Sequence, residues 1–482
     1  MNMIDAYNAL PEIIVAAGIC LALLVDVFIK QKNHLATFGF VQLVIIVAAA
    51  FTFLQLQLAP DINFAGSFIR DNFATVLKLF IYLTTFLSFY FAYNYLGERN
   101  THRGEYYILG LFSMLGMMIL TSAYSMLTVY LGLELLSLPI YAMIAIDRQS
   151  NTAAEAAMKF FVLGAIASGL MLYGMSMIFG AAHSLDIATI AKVSQHAKGL
   201  TMAMLGIGLV FIIVGVLFKL GAVPFHSWVP DVYQGAPLSV TLFVSTAPKI
   251  AALAMTVRVL VDMLPGLSQE WQLWLMVLAI ASMAIGNVLA IAQSSIRRML
   301  AYSSIAQMGY MLLGVLCATP RGYGAATFYM LSYALMSLAA FSLLTALSRR
   351  GIDIDAIDDL KGLNSRNPWL AFMMLLVMFS MAGVPPLLGF FTKVMVLEAL
   401  IQAHFVWIAC VALLLAVIGA YYYIRVVKVM YFDAPEKTDQ LGQAMAFKIS
   451  GGQLIIFSIN SLALLVLGFL PGGLFMLCRQ LF

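Results

Sequence analysis

"GLTMAMLGIGLVFIIVGVLFKLGAVPFHSW" (residues 199–228) decides the fold. Gly199 to Phe218 is an uncharged apolar run, and about 20 such residues suffice to cross a bilayer as a helix. Lys219 follows, and then Gly221 and Pro224 come before the chain turns polar. Glycine loosens a helix and proline interrupts its hydrogen bonding. The stretch therefore predicts a spanning helix that breaks beside an ionisable side chain.

The rest of the chain belongs in the same solvent. Its 482 residues are 63% hydrophobic and 10% charged, with a mean hydropathy of +0.97. Soluble domains average about 45–50% apolar and about 25% charged. A water-soluble fold could not bury so much apolar surface, and helices satisfy their own backbone in lipid. The expected class is an all-α polytopic membrane protein. A net charge of +4 spread over short loops gives no reason to expect nucleic acid as a partner. Cys20, Cys317, Cys410 and Cys478 are far apart in sequence, so neither a metal-ligand spacing nor a disulfide framework is expected. The N-terminal "MNMIDAYNALPEIIVAAG" has no basic leader, so its apolar stretch reads as a retained span.

Apolar runs between charged or Pro/Gly-rich breaks predict fourteen spans. They lie near 10–29, 35–58, 73–96, 106–122, 124–146, 157–181, 201–220, 238–263, 271–293, 299–317, 324–347, 368–387, 404–431 and 450–477. Lys30, Lys32, Arg99, Arg103, Arg148, Arg297, Arg298, Arg349, Arg350, Lys361, Arg366, Arg425, Lys428, Lys437 and Lys448 gather on one side. Arg70, Lys192, Lys198, Arg321 and Arg479 fall on the other. Positive residues mark the cytoplasmic side. The expectation is a bacterial cytoplasmic-membrane protein with both termini in the periplasm.

"LGAVPFHSW" (220–228) and "MAGVPPLLGF" (381–390) echo one another. Gly221 and Pro224 break the seventh span; Gly383, Pro385 and Pro386 break the twelfth. Two discontinuous helices, five spans apart and so running in opposite directions, point to an inverted repeat with an ion site between the halves. The predicted division is three N-terminal spans (1–105), a first repeat (106–263), a second repeat (271–431) and a last helix (450–482).

Lys78, Lys159, Lys219, Lys249, Arg258 and Lys393 are the six basic residues that those two sets leave over. A charge in the bilayer core is costly and should face protein or water. Lys219 precedes the first break, Lys249 lies well inside the eighth span, and Lys393 follows the second break. Burial disfavours the ammonium, so such lysines become able to exchange protons. Glu134, the fifth span's one acid, is the natural partner of Lys219. Glu155 and Lys159 form an i, i+4 pair suited to a helix face; Lys159 and His226 are secondary candidates for proton handling. No role is assigned to Lys78 or Arg258. Gly164, Gly169, Gly174 and Gly180 predict close packing of the sixth span.

"KLGAVPFHSWVPDVYQGAP" (219–237), "STAPKIAAL" (245–253), "RRMLAYSSIAQMGYMLLG" (297–314) and "MFSMAGVPPLLGFFTK" (378–393) resemble the proton-conducting antiporter-like family. That family supplies membrane-arm subunits of respiratory NADH-quinone oxidoreductase (complex I) and parts of multi-subunit sodium/proton antiporters. The resemblance covers the whole chain, and fourteen spans without a long C-terminal extension fit the shorter complex I plan. It implies proton translocation through Glu134, Lys219, Lys249 and Lys393. One branch of the family has glutamate where Lys393 stands. Gln307 occupies the tenth span where repeat symmetry would put an acid, so the two half-sites are not equivalent.

The expected function is thus a proton-translocating subunit of a hetero-oligomer. Its partners would be an antiporter-like neighbour, small membrane subunits and lipids. No nucleotide fingerprint or cysteine cluster is present in the sequence. Flavin, iron–sulfur clusters and quinone are accordingly expected in partner subunits, with no cofactor or metal here. A cation/proton antiporter subunit without redox coupling is the alternative. A passive scaffold would leave the buried charges unexplained.

Overall fold

The computed structural model describes residues 3–28, 34–56, 58–99, 103–348, 353–434 and 449–482. Lys30, Lys32, Arg349, Arg350, Lys437 and Lys448, used above for orientation, lie outside them. Among the described residues, thirteen segments are long and apolar enough to span a bilayer, and a shorter apolar helix, Pro368–Ala382, begins the twelfth. The fourteen-span plan stands.

In chain order the spans are Leu10–Phe28, Leu35–Leu54, Asn72–Glu98, Gly104–Thr121, Met126–Ile144, Asn151–Ala182, Gly199–Leu220, Leu238–Asp262, Pro265–Ile291 and Ile296–Leu316. Pro320–Leu347 follows, then the twelfth as Pro368–Ala382 plus Leu388–Gln402, then Val406–Phe432 and Gly451–Phe469. The last predicted span is shorter than expected, because Pro471 starts a separate helix, Pro471–Arg479. Side-chain caps fix several starts. Asp71, Ser125, Ser150, Ser295, Thr319 and Asn367 each accept a backbone N–H from the first turn, which satisfies an orphan donor.

Spans eight, ten and eleven form the core; the first two and last two are peripheral. The outward apolar side chains, among them Leu131, Ile166, Val417 and Ile459, are left exposed. Two connections carry structure of their own. Asp61–Asn63 and Phe68–Arg70 pair as an antiparallel hairpin between spans two and three, and Ile187–His196 is a short helix between spans six and seven.

Both predicted breaks are present, built alike. Gly221 (φ 66°) and Gly383 (φ 88°) end their half-helices in the left-handed region, which glycine enters without the Cβ penalty. Ala222 N–H reaches back to the Leu217 carbonyl at 2.8 Å, and Val384 N–H to the Phe379 carbonyl at 3.0 Å. Both are the six-to-one bond of a Schellman motif. Pro224 and Pro386 follow in cis peptide bonds.

Span eight is interrupted as well, which the apolar pattern did not announce. It runs as Leu238–Val244 and Ala247–Thr256, then continues as a π-helical turn, Val257–Asp262. Pro248 has no N–H to give the Val244 carbonyl, so the helix restarts at Ala247, and Lys249 lies in the new first turn.

Gly164 and Gly174 pack as expected: an added Cβ would lie 2.1 Å from the Tyr141 hydroxyl oxygen and 2.7 Å from the Gly208 carbonyl oxygen. A Cβ on Gly180 would meet Met204, but Gly169 has nothing within 4 Å. It sits on the outward face of the helix and takes no part in the contact.

Candidate functional site

A half-helix that stops inside a membrane leaves carbonyls without partners. Lysines from other segments fill that role at both breaks. Lys249 Nζ donates to the Leu220 carbonyl at 2.6 Å. Lys393 Nζ donates to the Ala382 carbonyl at 2.7 Å and to that of Met381 at 3.3 Å. Leu220 and Ala382 hold the same place, one residue before the left-handed glycine. An ammonium there also meets the negative end of the helix dipole. Trp228 Nε1 takes the Phe218 carbonyl at 2.9 Å.

Lys219 is held differently. Its Nζ donates to Ser137 Oγ at 2.5 Å, and Ser137 in turn donates to the Leu133 carbonyl. The rings of Phe218, Phe160 and Tyr141 lie 5.5, 5.9 and 6.0 Å away, within cation–π range. Glu134 is not its direct partner. No ion pair joins them, and Glu134 Oε1 is buried without a hydrogen bond. Ser137, one turn further along the same helix, takes the lysine's bond instead. A cavity of about 20 Å³ lies between Lys219 and Lys249, walled by Leu120, Leu133, Leu136, Phe160 and Trp228. That is room for about one water molecule.

Around the second break, Gln307 replaces a carboxylate with an amide network. Its Nε2 reaches the Met381 carbonyl at 3.3 Å and the Tyr423 hydroxyl at 3.0 Å. Tyr329 donates to its Oε1, and Ser303 bonds Tyr423. Gln307 and Lys393 thus share the Met381 carbonyl. Glu398 does not pair with Lys393 but with Arg321.

The ends of the spans that carry Arg99, Arg297 and Arg298 enclose two polar cavities of about 360 and 480 Å³. Thr152, Gln234, Gly235 and Arg297 line both. Between them and the lysine pair runs the short helix Trp228–Gly235. Lys159 pairs with Glu155 at 2.8 Å as expected, and also with Asp231 of that short helix at 2.9 Å. Arg298 holds Asp231 from the other side at 3.0 Å. In the adjoining loop Arg297 contacts Asp355 at 2.8 Å, and Ser295 and Gln234 donate to the same carboxylate at 2.7 and 3.0 Å. Burial pushes the Asp355 carboxyl up, but the Ser295 hydrogen bond and the Arg297 guanidinium together hold it below the ordinary carboxylate range. His226 is half-buried, its Nδ1 without a partner.

Lys78 and Arg258 have structural employment. Lys78 pairs with buried Glu12 at 2.5 Å, and Arg258 with Asp71 and Asp262 at 2.7 and 2.9 Å.

Residues 123–419, which contain both breaks and all four lysine and glutamate candidates, match the family model described as NADH:quinone oxidoreductase/Mrp antiporter, transmembrane. The NADH-quinone oxidoreductase subunit N of Coxiella burnetii is 53% identical over 98% of each chain. The chain belongs to the subunit N family. A subunit N relative from Thiobacillus denitrificans is 49% identical over 100% of this chain and 98% of its own. Among solved structures, a chain of Thermus thermophilus respiratory complex I superposes with a TM-score of 0.81 at 30% identity, covering 97% of this chain and 98% of that one. A chain of the Mrp complex from Dietzia superposes with a TM-score of 0.85 at 20% identity, over 98% and 96%. That likeness shows the shared fold.

For this subunit N family member, sequence reasoning missed Ser137, Asp231, Tyr329, Tyr423 and the Leu220 carbonyl. Ser137 was findable, since it lies three residues from Glu134 on one helix face. Tyr423 was not, because three-dimensional packing alone brings span thirteen against span ten.

Proposed function

We propose that this chain is a proton-translocating membrane-arm subunit of NADH:quinone oxidoreductase, within a multi-pass assembly of the bacterial cytoplasmic membrane. The observation that carries the reading is the pair of broken helices, each ending on a carbonyl held by a lysine, Lys249 of span eight at the first and Lys393 of the twelfth span's second half at the other. Two sites built alike on opposed helices also support the inverted repeat at 106–263 and 271–431. The relatives at about half identity are named for subunit N, which favours redox-coupled translocation over an antiporter without it.

In this reading protons enter from the side bearing Arg297 and Arg298, through the polar cavities beside Asp231. They pass the Trp228–Gly235 helix to Lys219, then Lys249, and later Lys393. An ammonium satisfies the terminal carbonyl and its dipole; when it gives up a proton, the neutral amine still donates a hydrogen bond but loses the charge term. Lys219, tied to Ser137 rather than Glu134, is set to exchange that hydroxyl for the carboxylate. Forming and breaking the Glu134 contact would then raise and lower its hold on a proton. Moving one charge through 100 mV costs about 2.3 kcal/mol, which a charge-assisted contact of about 1.5–3 kcal/mol can balance. Lys159 and His226 act at the margin of this path, and Gln307 positions the second half. Redox cofactors belong to partner subunits, and both termini face the periplasm.

The test is proton pumping by the whole complex in liposomes. Lys219→Ala and Glu134→Ala are expected to suppress quinone-coupled pumping while NADH oxidation by an artificial acceptor persists. Normal pumping stoichiometry in both variants would overturn the assignment.

A further inference from the structure

A fourth cavity, of about 580 Å³, lies apart from the lysine path, between the ends of spans one, four and five. Its wall is mostly apolar: Leu23, Val27, Ile108, Leu109, Phe112 and Ala142. Arg103 and Arg148 stand at the same place as its cationic members. Neither is committed to a strong partner. Arg103 meets Glu105 at 4.0 Å, with the two side chains 41% and 60% exposed. Arg148 makes no ion pair among the described residues. The other acid of the lining, Asp26, is already occupied: Thr37 donates to its Oδ1 at 2.7 Å, and His34 Nδ1 bonds the same atom at 2.9 Å.

A groove with an apolar floor and two arginines at its rim is complementary to one kind of molecule. We propose that it is a binding site for a glycerophospholipid, whose phosphodiester is held by Arg103 and Arg148 while one acyl chain lies along Leu23, Val27, Ile108 and Phe112. Guanidinium groups bind phosphate oxygens in a fixed fork, and basic pockets between spans on the positive side of a membrane protein suit lipid headgroups. An acyl chain alone would need no cations. A free phosphate would gain nothing from the apolar wall. A partner helix would have to bury both guanidinium groups, at a cost unless it brought acids.

The experiment uses the intact complex in nanodiscs and three photoreactive probes with the same diazirine-bearing chain: a phosphatidylethanolamine, a phosphatidylglycerol and a diacylglycerol. After irradiation, adducts are mapped by peptide mass spectrometry. Phospholipid adducts are expected on peptides covering 104–112 and 142–148. They should fall about tenfold in Arg103→Ala/Arg148→Ala, the loss of roughly one charge-assisted hydrogen bond, and survive in Arg103→Lys/Arg148→Lys. Ala142→Phe, which fills the groove and leaves both arginines, should lose them too. Equal labelling by both phospholipids assigns the contact to the phosphodiester alone, and unequal labelling adds the headgroup; either supports the site. Labelling by diacylglycerol as strong as by phospholipid, or wild-type labelling in both the arginine-to-alanine and Ala142 variants, would overturn it.

Discussion

The ammonium nitrogen of Lys249 lies 2.6 Å from the carbonyl oxygen of Leu220, so the first broken helix is closed by a side chain from span eight. Lys249 is 1% exposed, so the contact is shielded from bulk solvent. Replacing it with the apolar Lys249→Met leaves a buried carbonyl unsatisfied, at a cost of about 1–3 kcal/mol. The expected result is a complex that assembles with a lower thermal midpoint and pumps few protons. A variant with wild-type midpoint and stoichiometry would remove Lys249 from both roles.

The glycines at the two breaks are not equally demanding. A non-glycine residue in the left-handed region costs about 1–2 kcal/mol, and that applies to Gly221→Ala and Gly383→Ala alike. The new Cβ at 221 would also lie 2.5 Å from Val229 Cγ2, whereas at 383 the nearest atom is Lys393 Nζ at 3.0 Å, the end of a flexible chain. Thermal inactivation of the purified complex should therefore rank Gly221→Ala as the more damaging. The reverse order would mean that the first break relaxes more readily than its packing suggests.

Ser137, not Glu134, holds the Lys219 ammonium. Ser137→Ala removes the hydroxyl that Lys219 now uses, worth about 1.5–3 kcal/mol for a bond to a charged group, and should drive the ammonium to the carboxylate. A permanently formed pair would resist release of the proton, so pumping should fall even though no ionisable group is lost. Unchanged turnover in liposomes would show that the hydroxyl is a bystander.

Asp355 gives a pH signature outside the spans. Its carboxyl sits below the ordinary range in the folded protein, so its contribution to stability is present above the unfolded value, about 3.9. That contribution is lost as pH falls through the folded value. Asp355→Asn should lower the thermal midpoint near neutrality and narrow the gap to wild type below about pH 4. A constant gap across an acid titration of the midpoint would refute the linkage.

Asp231 is held from two sides. Lys159 is 45% exposed and Arg298 29% exposed on their side chains, so either alone is worth about 0.2–1 kcal/mol. Removing one leaves the other, and the double variant strands the carboxylate at the cavity wall. A double-mutant cycle with Lys159→Ala and Arg298→Ala, read by thermal inactivation, should show a combined loss larger than the sum. Simple additivity would mean that the two cations act independently.

Much of this was legible in the sequence for physical reasons. Span count follows from the length of apolar runs, and the two main breaks from Gly-Pro pairs set inside them. Lys219, Lys249 and Lys393 stood out because charge is scarce in spans. What escaped was anything decided by contact between distant segments. The sequence offers Glu134 as the only acid for Lys219, yet the lysine takes a serine hydroxyl. Lys78 looks idle until the fold brings Glu12 beside it. The interruption before Lys249 escaped because Pro248 lies in a run whose other residues are compatible with an unbroken helix.

That interruption has an electrostatic consequence. Residues 245 and 246 separate two helical pieces of span eight, and the joint is tied down by its own bonds: Ser245 N–H to the Thr241 carbonyl at 2.9 Å and the Thr246 hydroxyl to the Leu242 carbonyl at 3.0 Å. Lys249 occupies the first turn of the inner piece, where its own helix presents a positive end, while its tip touches the negative end of another. The residue is pushed from behind and pulled from in front. Any displacement of the inner piece would change both forces at once.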